Sequence, residues 1–78
     1  MRLAFALRII RPRVVKLPGL LRRRLEAALT QEQLGGLAGV QRFTITRLEN
    51  GGEARPSTIR KLADALHCEP RDLMQIES

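Results

Sequence analysis

Aromatic side chains are nearly missing from this 78-residue chain, which has two Phe, no Trp and no Tyr. Its core must therefore be aliphatic, and the stacking platforms on which many RNA and single-strand binders lay their bases are poorly supplied. Cysteine occurs once, as Cys68, which excludes an internal disulfide framework and any cysteine-based zinc site. Histidine also occurs once, as His67, so metal chemistry lacks partners and no cofactor is implied. The His67-Cys68 dipeptide reads as packing, with Cys68 as a small hydrophobe. No stretch approaches the roughly 20 apolar residues of a membrane span. The opening Leu3-Ala4-Phe5-Ala6-Leu7 is broken by Arg8 and Arg11 and lacks the cleavage region of a secretory signal. The chain reads as cytoplasmic. No grouping supplies a nucleophile, a base and a stabiliser together, so an enzyme is not expected.

Acidic residues are missing from the first 24 positions, which hold Arg2, Arg8, Arg11, Arg13, Lys16, Arg22, Arg23 and Arg24. The formal net charge of +6 thus arises wholly from this end, because acids outnumber bases in the remainder. A basic arm of this kind is either a phosphate-seeking tail or a solvated leader.

Residues 1–18 differ in kind from the rest of the chain. Pro12, Pro18 and Gly19 argue against a long helix. Leu3, Phe5, Leu7 and Ile9 alternate, and Arg13-Val14-Val15-Lys16-Leu17 is β-branched, so one or two short strands are expected here. Such strands need a partner, and Met74-Gln75-Ile76-Glu77 is a candidate, in the same or a second subunit. A disordered arm over residues 1–12 is the equal alternative.

From residue 19 to residue 78 the period is helical. Leu20, Leu21, Arg24, Leu25 and Ala28 share a face, giving a first helix over about 19–28. Thr30 with Gln33 makes a capping box, so a second helix starts at Gln31 and buries Leu34, Leu37 and Ala38. Gly39 supplies a tight turn. A third helix over about 41–49 buries Ile45 and Leu48 and stops at Asn50-Gly51. After a loop from Gly51 to Pro56, Ser57 is expected to cap a fourth helix that buries Ile59, Leu62, Ala63 and Leu66. A last short helix starts near Pro70 and buries Leu73 and Met74.

Two short helices joined at a glycine, the second polar and basic outside, suit one helix across a DNA backbone and the next in the major groove. The pieces Thr30-Gln31-Glu32-Gln33-Leu34, Leu37-Ala38-Gly39-Val40, Thr44-Ile45-Thr46-Arg47-Leu48-Glu49-Asn50-Gly51, Arg55-Pro56-Ser57 and Leu62-Ala63-Asp64-Ala65-Leu66 occur in this order. On them the segment from Leu20 to Met74 resembles the Cro/cI-type helix-turn-helix proteins, the Xre-like repressors. The resemblance implies an all-α, compact five-helix domain of the lambda-repressor-like kind, to which the short N-terminal strand would be added. It also implies a nucleoid-associated regulator of transcription that binds double-stranded operator DNA, usually as a homodimer.

The site residues derive from the resemblance and from their places on the helices. Gln41, Arg42, Phe43, Thr46 and Arg47 are the base-reading candidates. Arg42 or Arg47 suits guanine O6 and N7, Gln41 suits adenine, and Phe43 offers an apolar edge to thymine methyls. Thr44 faces the backbone rather than a base. Gln31, at a helix N-terminus, together with Asn50 and Ser57, would meet phosphates. Arg55 would lie over a minor groove. The alternatives are a solvated face for the arginines and a Phe43 folded back beside Leu37. Arg24 and Glu49 occupy positions that form a structural ion pair in many relatives.

Three features depart from the family pattern. Gly35-Gly36 places two glycines inside a helix, at a cost of about 2 kcal/mol relative to alanines. Phe43 is aromatic where a polar side chain is common, and the basic N-terminal segment lies outside the pattern. The leading reading is a repressor controlled by its concentration, dimerisation, proteolysis or a partner. The second is an antitoxin-like or adaptor protein, whose arm binds a protein such as a toxin and whose DNA binding serves autoregulation.

Overall fold

The computed structural model describes residues 14–74. Residues 1–13 and 75–78, with most of the expected arm and most of its expected C-terminal partner, lie outside the described residues. Five helices and one two-stranded ribbon follow one another: β1 (Val15–Lys16), α1 (Leu20–Glu26), α2 (Gln31–Ala38), α3 (Arg42–Glu49), β2 (Glu53–Ala54), α4 (Pro56–Ala65) and α5 (Pro70–Met74). The core is aliphatic, built from Leu17, Leu20, Leu34, Ile45, Leu48, Ala54, Ile59, Leu62, Ala63 and Leu73. No polar or charged residue is fully buried among the described residues.

β1 pairs antiparallel with β2, Val15 opposite Ala54 and Lys16 opposite Glu53. This corrects one expectation, because the strand's partner is a segment read as loop; of the C-terminal candidate, all but Met74 lies outside the described residues. The register explains the choice. It turns Ala54 into the core beside half-buried Val15 and sets two opposite charges across the solvent side. β1 falls within the segment expected to be a strand, whereas β2, two residues long, carries too little alternation to be read in advance.

Helix α1 is shorter than expected. It ends because Ala28 takes a left-handed backbone, φ +58°, and Leu29 N–H bonds back to Arg24 O. Seven residues present only one narrow stripe inward. Leu20 is buried, whereas Leu21 and Leu25, one position further round, are exposed. Gly19 N–H donates to Leu73 O, which ties the start of α1 to α5.

In α2 the capping box is complete: Thr30 Oγ1 accepts from Gln33 N–H and Gln33 Oε1 accepts from Thr30 N–H. Leu37, expected inside, is 65% exposed. The inward stripe runs through Gln31, Leu34, Gly35 and Ala38, which leaves Leu37 roughly 110° from its centre at 100° per residue. Gly35 and Gly36 differ sharply. A Cβ on Gly35 would lie 2.5 Å from Val40 O, whereas one on Gly36 meets nothing within 4 Å. Gly35→Ala is therefore expected to destabilise by about 2 kcal/mol through overpacking against backbone. Gly36→Ala should stabilise by about 1 kcal/mol through helix propensity. Urea unfolding of the two variants checks this, and equal midpoints would refute it.

Helix α3 begins after Gln41 as N-cap and ends in a glycine reversal. Gly51, φ +100°, donates to Leu48 O, and Gly52 N–H donates to Arg47 O. The expectation that Ser57 caps α4 is not met: Arg55 is the N-cap and Pro56 the first helical residue. Proline suits that place because it has no N–H to leave unpaired and its φ is already helical. Ser57 is then an exposed first-turn residue.

The far end of α4 closes similarly, with His67 in the left-handed region at φ +56°. His67 N–H reaches Asp64 O and Cys68 N–H reaches Ala63 O. His67 therefore acts through its backbone, as a helix stop. Burial pushes the Cys68 thiol pKa above its usual value; Arg23 opposes the shift, while Asp72 and Glu69 add to it. A thiol held protonated in this way is a poor nucleophile. In α5 Leu73 is buried but Met74, expected inside, is 39% exposed.

Candidate nucleic-acid interface

The turn between α2 and α3 is built by backbone geometry. Gly39 takes φ +71°, which a side chain resists, and Val40 N–H returns to Gly35 O. The missing Cβ of Gly35 is what lets Val40 O come this close. Ile45 and Leu48 then seat α3 on the core and turn its other side to solvent.

Gln41, Arg42 and Phe43 form one exposed patch at the N-terminal end of α3. Phe43 is 76% exposed, so it does not fold back beside Leu37. Its ring centroid lies 5.8 Å from the guanidinium carbon of Arg42, within the range of a cation–π contact. Thr44 is half-buried. Arg47 is exposed one turn further on, where Nη1 donates to Glu53 O at 3.1 Å. Its side chain covers Gly52, where a Cβ would come within 2.9 Å of Arg47 Cγ. One guanidinium nitrogen is thus committed to the loop.

Behind this patch lies a bonded cluster that the sequence shows only in part. Arg24 Nε donates to Glu49 Oε2 at 2.6 Å and Nη2 to Glu49 Oε1 at 3.1 Å. Arg24 Nη1 donates to Leu29 O at 2.8 Å. The two side chains retain 11% and 6% of their exposure. Arg24 and Glu49 are thus brought together in a forked pair. The hydrogen bond to Glu49 raises the Arg24 pKa, burial lowers it, and the charge of Glu49 raises it again.

Two further side chains join the pair. Gln31 Nε2 donates to Glu49 Oε1 at 2.8 Å, and Thr46 Oγ1 donates to Gln31 Oε1 at 2.8 Å. Thr46 Oγ1 also lies 3.1 Å from Arg42 O. Sequence reasoning placed Gln31 on phosphate and Thr46 on a base, and missed that they bond to one another. Their separation along the chain gives no local signal of the contact. The cluster holds the first turn of α2 against α3 at a defined distance.

Asn50, Arg55 and Ser57 are exposed at, respectively, the C-cap of α3, the N-cap of α4 and the first turn of α4. The two segments flank the β2 ribbon. Among the described residues, no group of three or more His, Cys, Asp or Glu side chains is placed to hold a metal ion.

Comparison with known proteins agrees with this geometry. A helix-turn-helix family model matches residues 20–73. The crystal structure of the restriction-modification controller protein C.AhdI from Aeromonas hydrophila is similar, with 37% identity and a TM-score of 0.68. The match covers 72% of this chain and 86% of that one. No curated protein matches the chain significantly. With residues 20–73 spanning the five helices and the exposed end of α3, the chain belongs to the helix-turn-helix family of Cro/cI-type, Xre-like DNA-binding transcriptional regulators.

Proposed function

We propose that the chain acts as a homodimer on a twofold-symmetric operator, with α3 in the major groove, and represses transcription by occupying promoter DNA. The observation that carries this reading is the exposed Gln41-Arg42-Phe43 end of α3, braced from behind by the Arg24–Glu49–Gln31–Thr46 cluster. Arg42 supplies a bidentate fork for guanine, Gln41 an amide for adenine, and Arg47 and Thr46 the neighbouring edge. The Gln31 amide nitrogen keeps a second hydrogen for a phosphate, beside the free backbone N–H groups of the first turn of α2. Asn50, Ser57 and Arg55 complete the backbone contacts, with Arg55 over the minor groove.

The similarity to a restriction-modification controller protein supports a role of the same kind, control of a restriction-modification system. No helix among the described residues is long and apolar enough to cross a membrane, and the protein acts in the cytoplasm, where its DNA lies. It binds and catalyses no reaction.

Selection of bound duplexes from a random library tests the reading. The expected product is an inverted repeat with half-site centres about 34 Å, one helical turn, apart. Enrichment of asymmetric single sites would refute the dimer, and no enrichment would refute the operator reading.

A further inference from the structure

Phe43 is the most exposed large hydrophobic side chain among the described residues, and it stands at the centre of the polar end of α3. A phenyl ring there has neither donor nor acceptor, so it cannot sort bases by their hydrogen-bonding edges. What it can distinguish in a major groove is the presence of a methyl group at pyrimidine C5. Thymine carries that group, and cytosine carries it only when methylated. Beside the ring, 5.8 Å from its centroid, lies the guanidinium of Arg42, whose fork suits guanine O6 and N7.

Resting on the α3-in-groove reading above, we infer that Arg42 and Phe43 together read a guanine next to a C5-methylated pyrimidine, so that 5-methylcytosine can replace thymine at that position. Binding then responds to cytosine methylation of the DNA, and a site with unmodified cytosine becomes a good one when methylated. The other side chains of the patch do not duplicate this role. Gln41 is an amide suited to hydrogen bonding, and Thr44 is half-buried.

The test uses the full chain and the duplex recovered by random-library selection. Each pyrimidine next to a guanine is replaced in turn, so that thymine, uracil, cytosine and 5-methylcytosine are compared by fluorescence anisotropy at fixed salt. At one position thymine and 5-methylcytosine should bind alike. Each should bind about fourfold tighter per half-site than its unmethylated counterpart, the value of one buried methyl-sized group. Phe43→Ala should erase the difference, and Phe43→Leu should keep part of it. Arg42→Ala should keep the methyl preference and lose the guanine preference. Since both side chains are exposed, thermal melts of these variants should match the parent.

The inference is overturned if the parent binds methylated and unmethylated duplexes equally at every position, or if Phe43→Ala still discriminates. In either case binding to the selected duplex would leave the operator reading standing. A library from which nothing is enriched would overturn both.

Discussion

Arg24→Ala is expected to lower the stability of the domain by about 3 kcal/mol. The arginine makes two hydrogen bonds to Glu49 and one to Leu29 O, and joins α1 to the end of α3 and to the loop before α2. Removing it strands the Glu49 carboxylate, 6% exposed, with the Gln31 amide as its remaining partner among the described residues. A loss of that size should lower the melting temperature by roughly 12–24 °C in a domain of this length. Circular dichroism melts read it directly, and an unchanged melting temperature would refute the assignment.

The cost arises from the charge left behind more than from the pair itself. Replacing both partners by apolar residues of similar size, Arg24→Met with Glu49→Leu, should therefore recover much of the loss. That double variant should still bind DNA poorly. Without Glu49 the Gln31 amide loses its acceptor, and the link from Gln31 through Thr46 to α3 relaxes. Stability and binding would then separate, as they would not if the cluster served the core alone.

Arg42→Ala should have the largest effect on specific binding, about 2 kcal/mol per half-site if its bidentate contact to guanine is lost. For two protomers on one operator this amounts to roughly a thousandfold weaker binding. Nonspecific affinity should fall far less, because the phosphate-facing groups are untouched. The fold should be unaffected, since Arg42 is exposed and its main chain remains in α3. Arg47→Ala is expected to act more weakly on specificity and partly through the loop, whose Glu53 carbonyl it holds. Anisotropy titrations with specific and scrambled duplexes, run at one salt concentration, check both variants. A specific affinity unchanged in Arg42→Ala would remove Arg42 from the base-reading set.

Much of the domain was legible in the sequence because its signals are local. The capping box of Thr30 and Gln33, the reversal at Gly39, the stop at Gly51 and the proline opening α5 each act within a few residues. The family pattern located the exposed end of α3 at Gln41, Arg42 and Phe43. Local signals misled where two competed. At Arg55-Pro56-Ser57 the serine is a good cap by type, but proline starts the helix two residues earlier than a Ser57 cap would. At Leu21, Leu25 and Leu37 the residue type suggested burial, yet short helices show the core only one narrow stripe.

The amino-acid sequence alone determined where α2, α3 and α5 begin, that the core is aliphatic, and which residues stand at the solvent-facing end of α3. Backbone caps, turn residues and apolar spacing are properties of neighbours along the chain, and they need no knowledge of what lies opposite. Only the tertiary structure decided that Val15–Lys16 pairs with Glu53–Ala54 and that Gln31, Thr46 and Glu49 are bonded. It also decided that Gly35 and not Gly36 is required, because only Gly35 meets the returning backbone at Val40. Each of these depends on which surfaces the closing core presses together, and chain separation hides that until the helices are packed.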